Sequence, residues 1–416
     1  MKSMLNPDYA FPDHSGAGFH PTKAGVLRMH RYLPLAVCYF FFNHAGLPTG
    51  LFYTTIFSPF LFIWLYFQQQ RWLTIKYLLV LSPFMVAHAI LGIHDPVAYL
   101  RTLLHWWTAY IAVYAICWSL RKCASVGQLF DQLIVLNFCF ALLALIIRPT
   151  PLCQLLWMDT LPIRGGPSVL RLNLFTHEPS AYAELMFPLL IYAVLRLLRN
   201  STRRNLAYLG MIVLPVLLSQ SFGGLSIGMA GIGVALLYGH RQLLRRTSSR
   251  ILLLVLFMAI AALLFTPNTI SQRVFQVING DDGSAQGRTT FAFIAAYAVA
   301  SSKSIWWGVG LGQMKLMDIS YLRFGLTSGV PEAVAAIFAE FGLVAIFLIL
   351  AVQGYLFFKT KVYRNTFRLA MFVVAFLQQV TGSYGTDVQE YVMWFLAFST
   401  IFQEFNLSQM PKRSFD

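Results

Sequence analysis

Seven arginines and two lysines recur at the polar connections and helix ends of an otherwise apolar chain: Arg101, Arg148, Arg164, Arg171, Arg273, Arg288, Lys303, Lys315 and Arg323. A guanidinium keeps its charge and offers a planar fork that holds phosphate oxygens two at a time, so several converging on one mouth suit a diphosphate headgroup. Arg171 and Arg288 are the first choices for that role, followed by Arg273, Arg164 and Arg323. Glu178, Glu332 and Glu340 are the acids in the same part of the chain, each a candidate to take a proton from an attacking hydroxyl. The plain alternative for any single arginine is snorkelling at a helix end or pairing with a nearby aspartate such as Asp159, Asp281, Asp282 or Asp318.

The local contexts differ. Arg171-Leu-Asn-Leu-Phe-Thr-His177-Glu178-Pro179-Ser180 leads into an apolar run, which reads first as a helix start with proline in the first turn. Functionally, the same stretch puts Arg171, His177 and Glu178 beside a helix N-terminus, where an anion is favoured. Asp281-Asp282-Gly283 predicts a turn in preference to a metal site, and no metal is expected anywhere. The run Trp307-Gly308-Val-Gly310-Leu-Gly312 follows no strand and precedes no Lys-Ser pair, so it predicts close backbone approach and no nucleotide cradle. Glu340 stands eight residues after Glu332, about 12 Å deeper in the same predicted span and rotated by roughly 80°. An acid that far into a span pairs with a base, faces a wet cavity or takes part in function. Arg101 and His105, four apart on one helix face near His94 and Asp95, form a secondary group with His177.

The elements that must carry these residues follow from composition. The chain has 416 residues, 57% hydrophobic and 11% charged, well below the roughly 25% charged residues of a soluble domain. Apolar segments fall near 32–47, 48–67, 74–93, 98–118, 130–147, 180–198, 205–219, 222–239, 251–265, 331–354, 366–383 and 387–404. This predicts an all-α polytopic membrane protein with about 12 spans. With the N-terminus on the cytoplasmic side, 22 of the 31 Lys and Arg residues fall in inside loops and nine outside. The asymmetry puts both termini in the cytoplasm, and the net charge of +15 reflects orientation, with no nucleic-acid partner. The expected organisation is a polar tail at 1–31, a transmembrane domain at 32–405 and a tail at 406–416. Two long outer connections, 148–179 and 266–330, carry the candidate site. Within the second, 289–302 is apolar but too short to span, and predicts an interfacial helix before Trp306 and Trp307. The five cysteines show no CxxC spacing, and no internal repeat is evident.

In order and spacing, Arg171 with Glu178-Pro179-Ser180, then Gly287-Arg288, Gly308-Val-Gly310-Leu-Gly312 and Glu340-Phe-Gly342-Leu resemble the bacterial O-antigen polymerase and ligase family, over approximately residues 164–350. The resemblance implies a metal-independent, cofactor-free glycosyltransferase of the GT-C type in the bacterial inner membrane, its site facing the periplasm. Its partners would be undecaprenyl-diphosphate-linked glycans as donor and acceptor, the bilayer itself, and room for a chain-length regulator. Ligases of the family usually carry a histidine a little more than two turns before the Glu-x-Gly element. Here Pro331-Glu332 occupies that place, which favours a polymerase. The expected chemistry is attack of a sugar hydroxyl on an anomeric carbon, with the lipid diphosphate leaving onto arginines. Glu178 or Glu332, at the interface, is the better-placed base, and Glu340 the deeper one. The rivals are a flippase for the same lipid-linked saccharide, a ligase, and a scaffold without chemistry.

Overall fold

The computed structural model describes Ala36 and residues 53–123, 125–160, 169–243, 290–314, 333–382 and 388–407. Helices dominate: α1 (Tyr53–Phe67), α2 (Leu73–Leu91), α3 (Pro96–Lys122), α4 (Val126–Ile147), α5 (Pro179–Leu185), α6 (Phe187–Arg199), α7 (Arg203–Leu218) and α8 (Phe222–Leu243). After the long connection come α9 (Thr290–Ser301), α10 (Ala333–Lys359), α11 (Thr366–Thr381) and α12 (Val388–Phe398). One small antiparallel hairpin, β1 (Trp157–Thr160) with β2 (Val169–Leu172), interrupts the helices, and nothing in the sequence reading anticipated it.

Local chemistry sets the helix ends. The Asp95 carboxylate accepts from the Val97 and Ala98 N–H groups at the start of α3, with Pro96 behind it, while Arg121 and Lys122 face the negative end of the same helix. Ser125, Thr202 and Asn365 cap α4, α7 and α11 in the same way. Among the described residues α2, α3, α4 and α10 are long and apolar enough to cross a membrane, and α5 with α6, bent by 44°, makes a fifth path. The α2 surface exposes Leu79, Val80, Val86 and Ile90, an arrangement that water penalises and hydrocarbon favours. The protein is therefore mostly helical and membrane-embedded. The predicted segments 32–47 (apart from Ala36) and 251–265 lie outside the described residues.

Hydrogen bonds sort the helix ends into two groups. At one end Lys303 reaches the Gly92 carbonyl, Gln313 clasps Asp95, and Arg171 meets Ser219. At the other, Arg196 pairs with Asp131, and the Asn365 amide donates to the Phe402 carbonyl (2.6 Å). Here α12 stops at Phe398, six residues before the predicted limit. Phe402 and Phe405 turn back against Tyr192 and Phe367. The buried Arg368 guanidinium takes the Ala397 and Phe398 carbonyls that the finished helix leaves over.

Two cores matter for the site. The larger joins α4 to α8 with α11 and α12, around Phe130, Tyr182, Phe187 and Phe367. A smaller one packs α2, α3 and α10 around Phe84, Tyr99, Phe341 and Leu311.

Candidate functional site

The first group of predicted residues sits on the hairpin and the turn after it. Trp157 is buried, its indole N–H donating to the Ala144 carbonyl at 2.8 Å, and Arg148 lies over its ring at 5.1 Å. β2 carries Arg171 opposite Met158. Arg171 Nε donates to the carbonyl of Ser219, the C-cap of α7, at 2.9 Å. A cation at a helix C-terminus is favourable there, and anchoring through Nε fixes the plane of the fork. The turn is rigid: Asn173 and Thr176 exchange side-chain to backbone bonds of 2.7 Å, and the Thr176 hydroxyl also lies 2.8 Å from the Glu178 carbonyl. Glu178 takes the N-cap position of α5 with Pro179 following, as the helix-start reading requires, but its side chain makes no capping bond. Its carboxylate lies instead 3.8 Å from His177 Nε2, both side chains more than a third exposed.

The second group forms a tight interlock at the same end. α10 is broken at Gly342, whose φ of 73° and ψ of −171° are outside the helical region. The break would leave carbonyls on one side and N–H groups on the other unpaired, and the segment Ser304–Met314 fills both. Val309 and Gly310 N–H donate to the Ala339 and Glu340 carbonyls (2.9 and 3.0 Å), while Leu343 and Val344 N–H donate to the carbonyls of Ile305 and Trp306 (2.9 and 3.2 Å). We call this segment the wedge.

The glycine spacing is explained here. Gly308, Gly310 and Gly312 all have positive φ. A Cβ on Gly308 would overlap the Glu340 carbonyl, one on Gly342 the Trp306 carbonyl, and one on Gly312 the Thr102 hydroxyl. The expected close backbone approach is thus present, between two motifs that the sequence separates by about thirty residues.

Side chains lock the wedge in place. The Gly312 N–H donates to Glu340 Oε1 at 2.9 Å, inside a buried environment. His88 of α2 is fully buried between Tyr99, whose hydroxyl is 3.0 Å from Nδ1, and the Trp307 carbonyl, 2.9 Å from Nε2. Because a carbonyl only accepts, Nε2 carries a proton. Gln313 grips the Asp95 backbone from both sides, Oε1 accepting from its N–H at 2.8 Å and Nε2 donating to its carbonyl at 2.9 Å. Lys303 donates to the carbonyls of Gly92 and Val309, and desolvation holds its ammonium below the ordinary lysine range.

The remaining predicted residues divide simply. Arg164, Arg273, Arg288, Arg323 and Glu332, together with Asp281, Asp282, Gly287 and Lys315, lie outside the described residues. Arg101 is exposed on α3 and His105 half-buried one turn further on, behind the Asp95 cap that the wedge holds. The short helix expected at 289–302 is α9, packed through Ala292, Ala295 and Ala296 against Val309, Ala335 and Ala339.

Sequence reading missed His88, Gln313 and the surroundings of Glu184. Glu184 is buried and accepts from the amides of Gln378 (2.9 Å) and Gln389 (2.8 Å), which come from α11 and α12. Among the described residues no three His, Cys, Asp or Glu side chains gather as a metal-ligand set. No known family model matches the chain, and no curated protein matches it.

Proposed function

We propose that the protein is a polymerase that joins undecaprenyl-diphosphate-linked oligosaccharide repeat units at the periplasmic face of the bacterial inner membrane. In this reading the chain has about 12 spans, both termini cytoplasmic, a GT-C-like arrangement, and the wedge end outermost. A sugar hydroxyl of one lipid-linked unit attacks the anomeric carbon of the growing glycan. The C–O bond to the lipid diphosphate breaks, and the charge that builds on the departing diphosphate is met by arginines positioned beforehand. Arg171 and Arg288 are the leading members of that set, with Arg273, Arg164 and Arg323 behind them. Glu178, at the mouth and solvent-accessible, suits the role of base; Glu332 is the alternative.

The observation that carries the reading is the contact between the glycine run and the Glu340-Phe-Gly342 element. Two of the motifs on which the family resemblance rests are one physical unit, joined by four backbone hydrogen bonds and the Gly312–Glu340 bond. Arg171 and Glu178 belong to the same end of the bundle.

The flippase alternative is weakened by the same feature. Transporters turn the ends of broken helices toward substrate and ions, whereas here the chain's own wedge occupies both ends at Gly342. What favours a flippase is the polar layer of Glu184, Gln378, Gln389, Gln353 and Gln379 within the helices, and that layer is closed to solvent.

Purified protein in lipid vesicles, supplied only with lipid-diphosphate repeat units, separates the readings. Longer glycans on the lipid support the polymerase, relocation without elongation the flippase, and neither a scaffold. Transfer to a lipid A core acceptor would indicate a ligase. Arg171→Ala and Arg288→Ala should each lower elongation by at least about a hundredfold, the loss of one charge-stabilising donor, while the protein stays folded. Normal chain growth in either variant removes that residue from the site.

A further inference from the structure

Glu340 is a carboxyl group seven residues into a membrane-crossing helix, about 10 Å from its start. A buried acid at that depth is a functional candidate by default, and its chemistry offers two different uses. As a proton acceptor or counter-charge, it acts through ionisation. As a fixed acceptor atom, it acts through reach. The geometry separates the two, because Oε1 is bonded to the Gly312 N–H at 2.9 Å. Gly312 sits against α3 so closely that an added Cβ would lie 2.8 Å from the Ala98 carbonyl. The acceptor atom is therefore aimed at a backbone segment with no room to move.

We infer that Glu340 and His88 are positioning residues, latching the wedge from two sides so that its outer rim, with Lys303 and the clasped Asp95 turn, is held in register with the mouth of the site. This rests on the polymerase reading for its effect on catalysis, though the latch itself does not. Glu340 holds the C-terminal part of the wedge, at Gly312, through a carboxyl oxygen. His88 holds the middle, at Trp307, by donating from Nε2, and its other nitrogen is braced by Tyr99. The four backbone bonds at Gly342 hold the wedge along α10. The side-chain bonds from Glu340 and His88 fix it at two further points, beside the clasp that Gln313 makes on Asp95.

The two uses predict opposite orders for two conservative variants. Glu340→Gln keeps the length and an acceptor oxygen but abolishes ionisation. Glu340→Asp keeps the charge but shortens the reach by one methylene, too far for a bond that already sits at its optimum distance. For a latch, Glu340→Gln should elongate glycans within about threefold of the wild type, and Glu340→Asp should lose about tenfold or more, the equivalent of one hydrogen bond. The loss should fall on kcat with KM little changed, and the pH profile of Glu340→Gln should overlay that of the wild type. His88→Gln, whose amide donor lies near the Nε2 position, should recover most of what His88→Ala loses.

Hydrogen exchange of the peptide containing residues 305–314 gives a reading independent of activity. Protection should be retained in Glu340→Gln and reduced in Glu340→Asp. If the wild-type protein elongates nothing while exchange follows this order, the polymerase reading fails and the latch stands. If the wild type elongates glycans and Glu340→Asp equals or exceeds Glu340→Gln, both variants are inactive, or both match the wild type, the latch is wrong.

Discussion

The two helix breaks each lie two residues after a buried glutamate, yet they are built from different materials. Between α5 and α6 the chain bends at Met186, two residues after Glu184, and keeps ordinary right-handed backbone angles (φ −84°, ψ −9°). Pro188 accounts for the bend, since it supplies no N–H for the Glu184 carbonyl. The carboxylate is met by side-chain amides from α11 and α12. At Gly342 the backbone leaves the helical region altogether, and the loose ends are met by the backbone of a distant segment. Proline chemistry gives a bend that the surrounding helices cushion with polar side chains. Glycine chemistry gives an interruption into which another piece of chain is inserted.

The largest expected effect follows from that difference. Gly342→Ala places a Cβ on the Trp306 carbonyl at a φ that L-residues rarely adopt. It should cost more than about 4 kcal/mol, in the range of exceptional single substitutions. Met186→Leu, a volume-conserving change at the other break, should cost under about 1.5 kcal/mol. Thermal unfolding and monodisperse yield in detergent measure both. Similar losses in the two variants would mean that the breaks are not distinct in kind.

A smaller effect tests the amide-held break directly. Glu184→Ala strands the amide donors of Gln378 and Gln389, at about 1–3 kcal/mol for each buried donor left unsatisfied. Glu184→Gln retains an acceptor and should lose less. Replacing Glu184, Gln378 and Gln389 together by leucine should recover much of the loss if the cluster serves packing alone. A triple variant that unfolds as readily as Glu184→Ala would show that the polar layer does something apolar side chains cannot.

How much of this was legible beforehand follows the range of the interactions. The long apolar runs gave α2 and α10 to within a few residues, because hydrocarbon length and helix rise fix them locally. The glycine run announced close approach, since only a backbone contact requires so many residues without a Cβ. His88 was hidden, because its bond to Trp307 spans 219 positions and leaves no periodic trace. Trp157–Thr160 is four residues without alternation, so the hairpin had no strand signature. Of the five arginines proposed for diphosphate, only Arg171 lies among the described residues, and its tie to Ser219 depends on where α7 ends in space. The sequence reading placed Glu340 among possible bases. Its bond to the Gly312 N–H makes positioning the better-supported role.

The smallest effect concerns a third acid, this one half-buried, which shows what a charged neighbourhood does where the breaks use amides and backbone. Glu404 lies in a short 3-10 turn after α12, at the end of the bundle opposite the wedge. Burial raises its carboxyl above the ordinary value, and a hydrogen bond from its own backbone, then Arg199 and Arg196, pull it part of the way back. With the folded pKa above the unfolded one, the folded state binds the proton more tightly. The stabilising contribution is complete below the unfolded value and disappears as pH climbs through the folded value. Glu404→Gln cannot ionise and should lack that decline, so the variant should gain stability relative to the wild type as pH rises above about 4, the ordinary glutamate value. The gain should be modest because the two guanidiniums already offset part of the cost of ionisation. Unfolding midpoints of both proteins across that range provide the measurement. Parallel pH curves would mean that the backbone hydrogen bond and the two arginines fully compensate for burial.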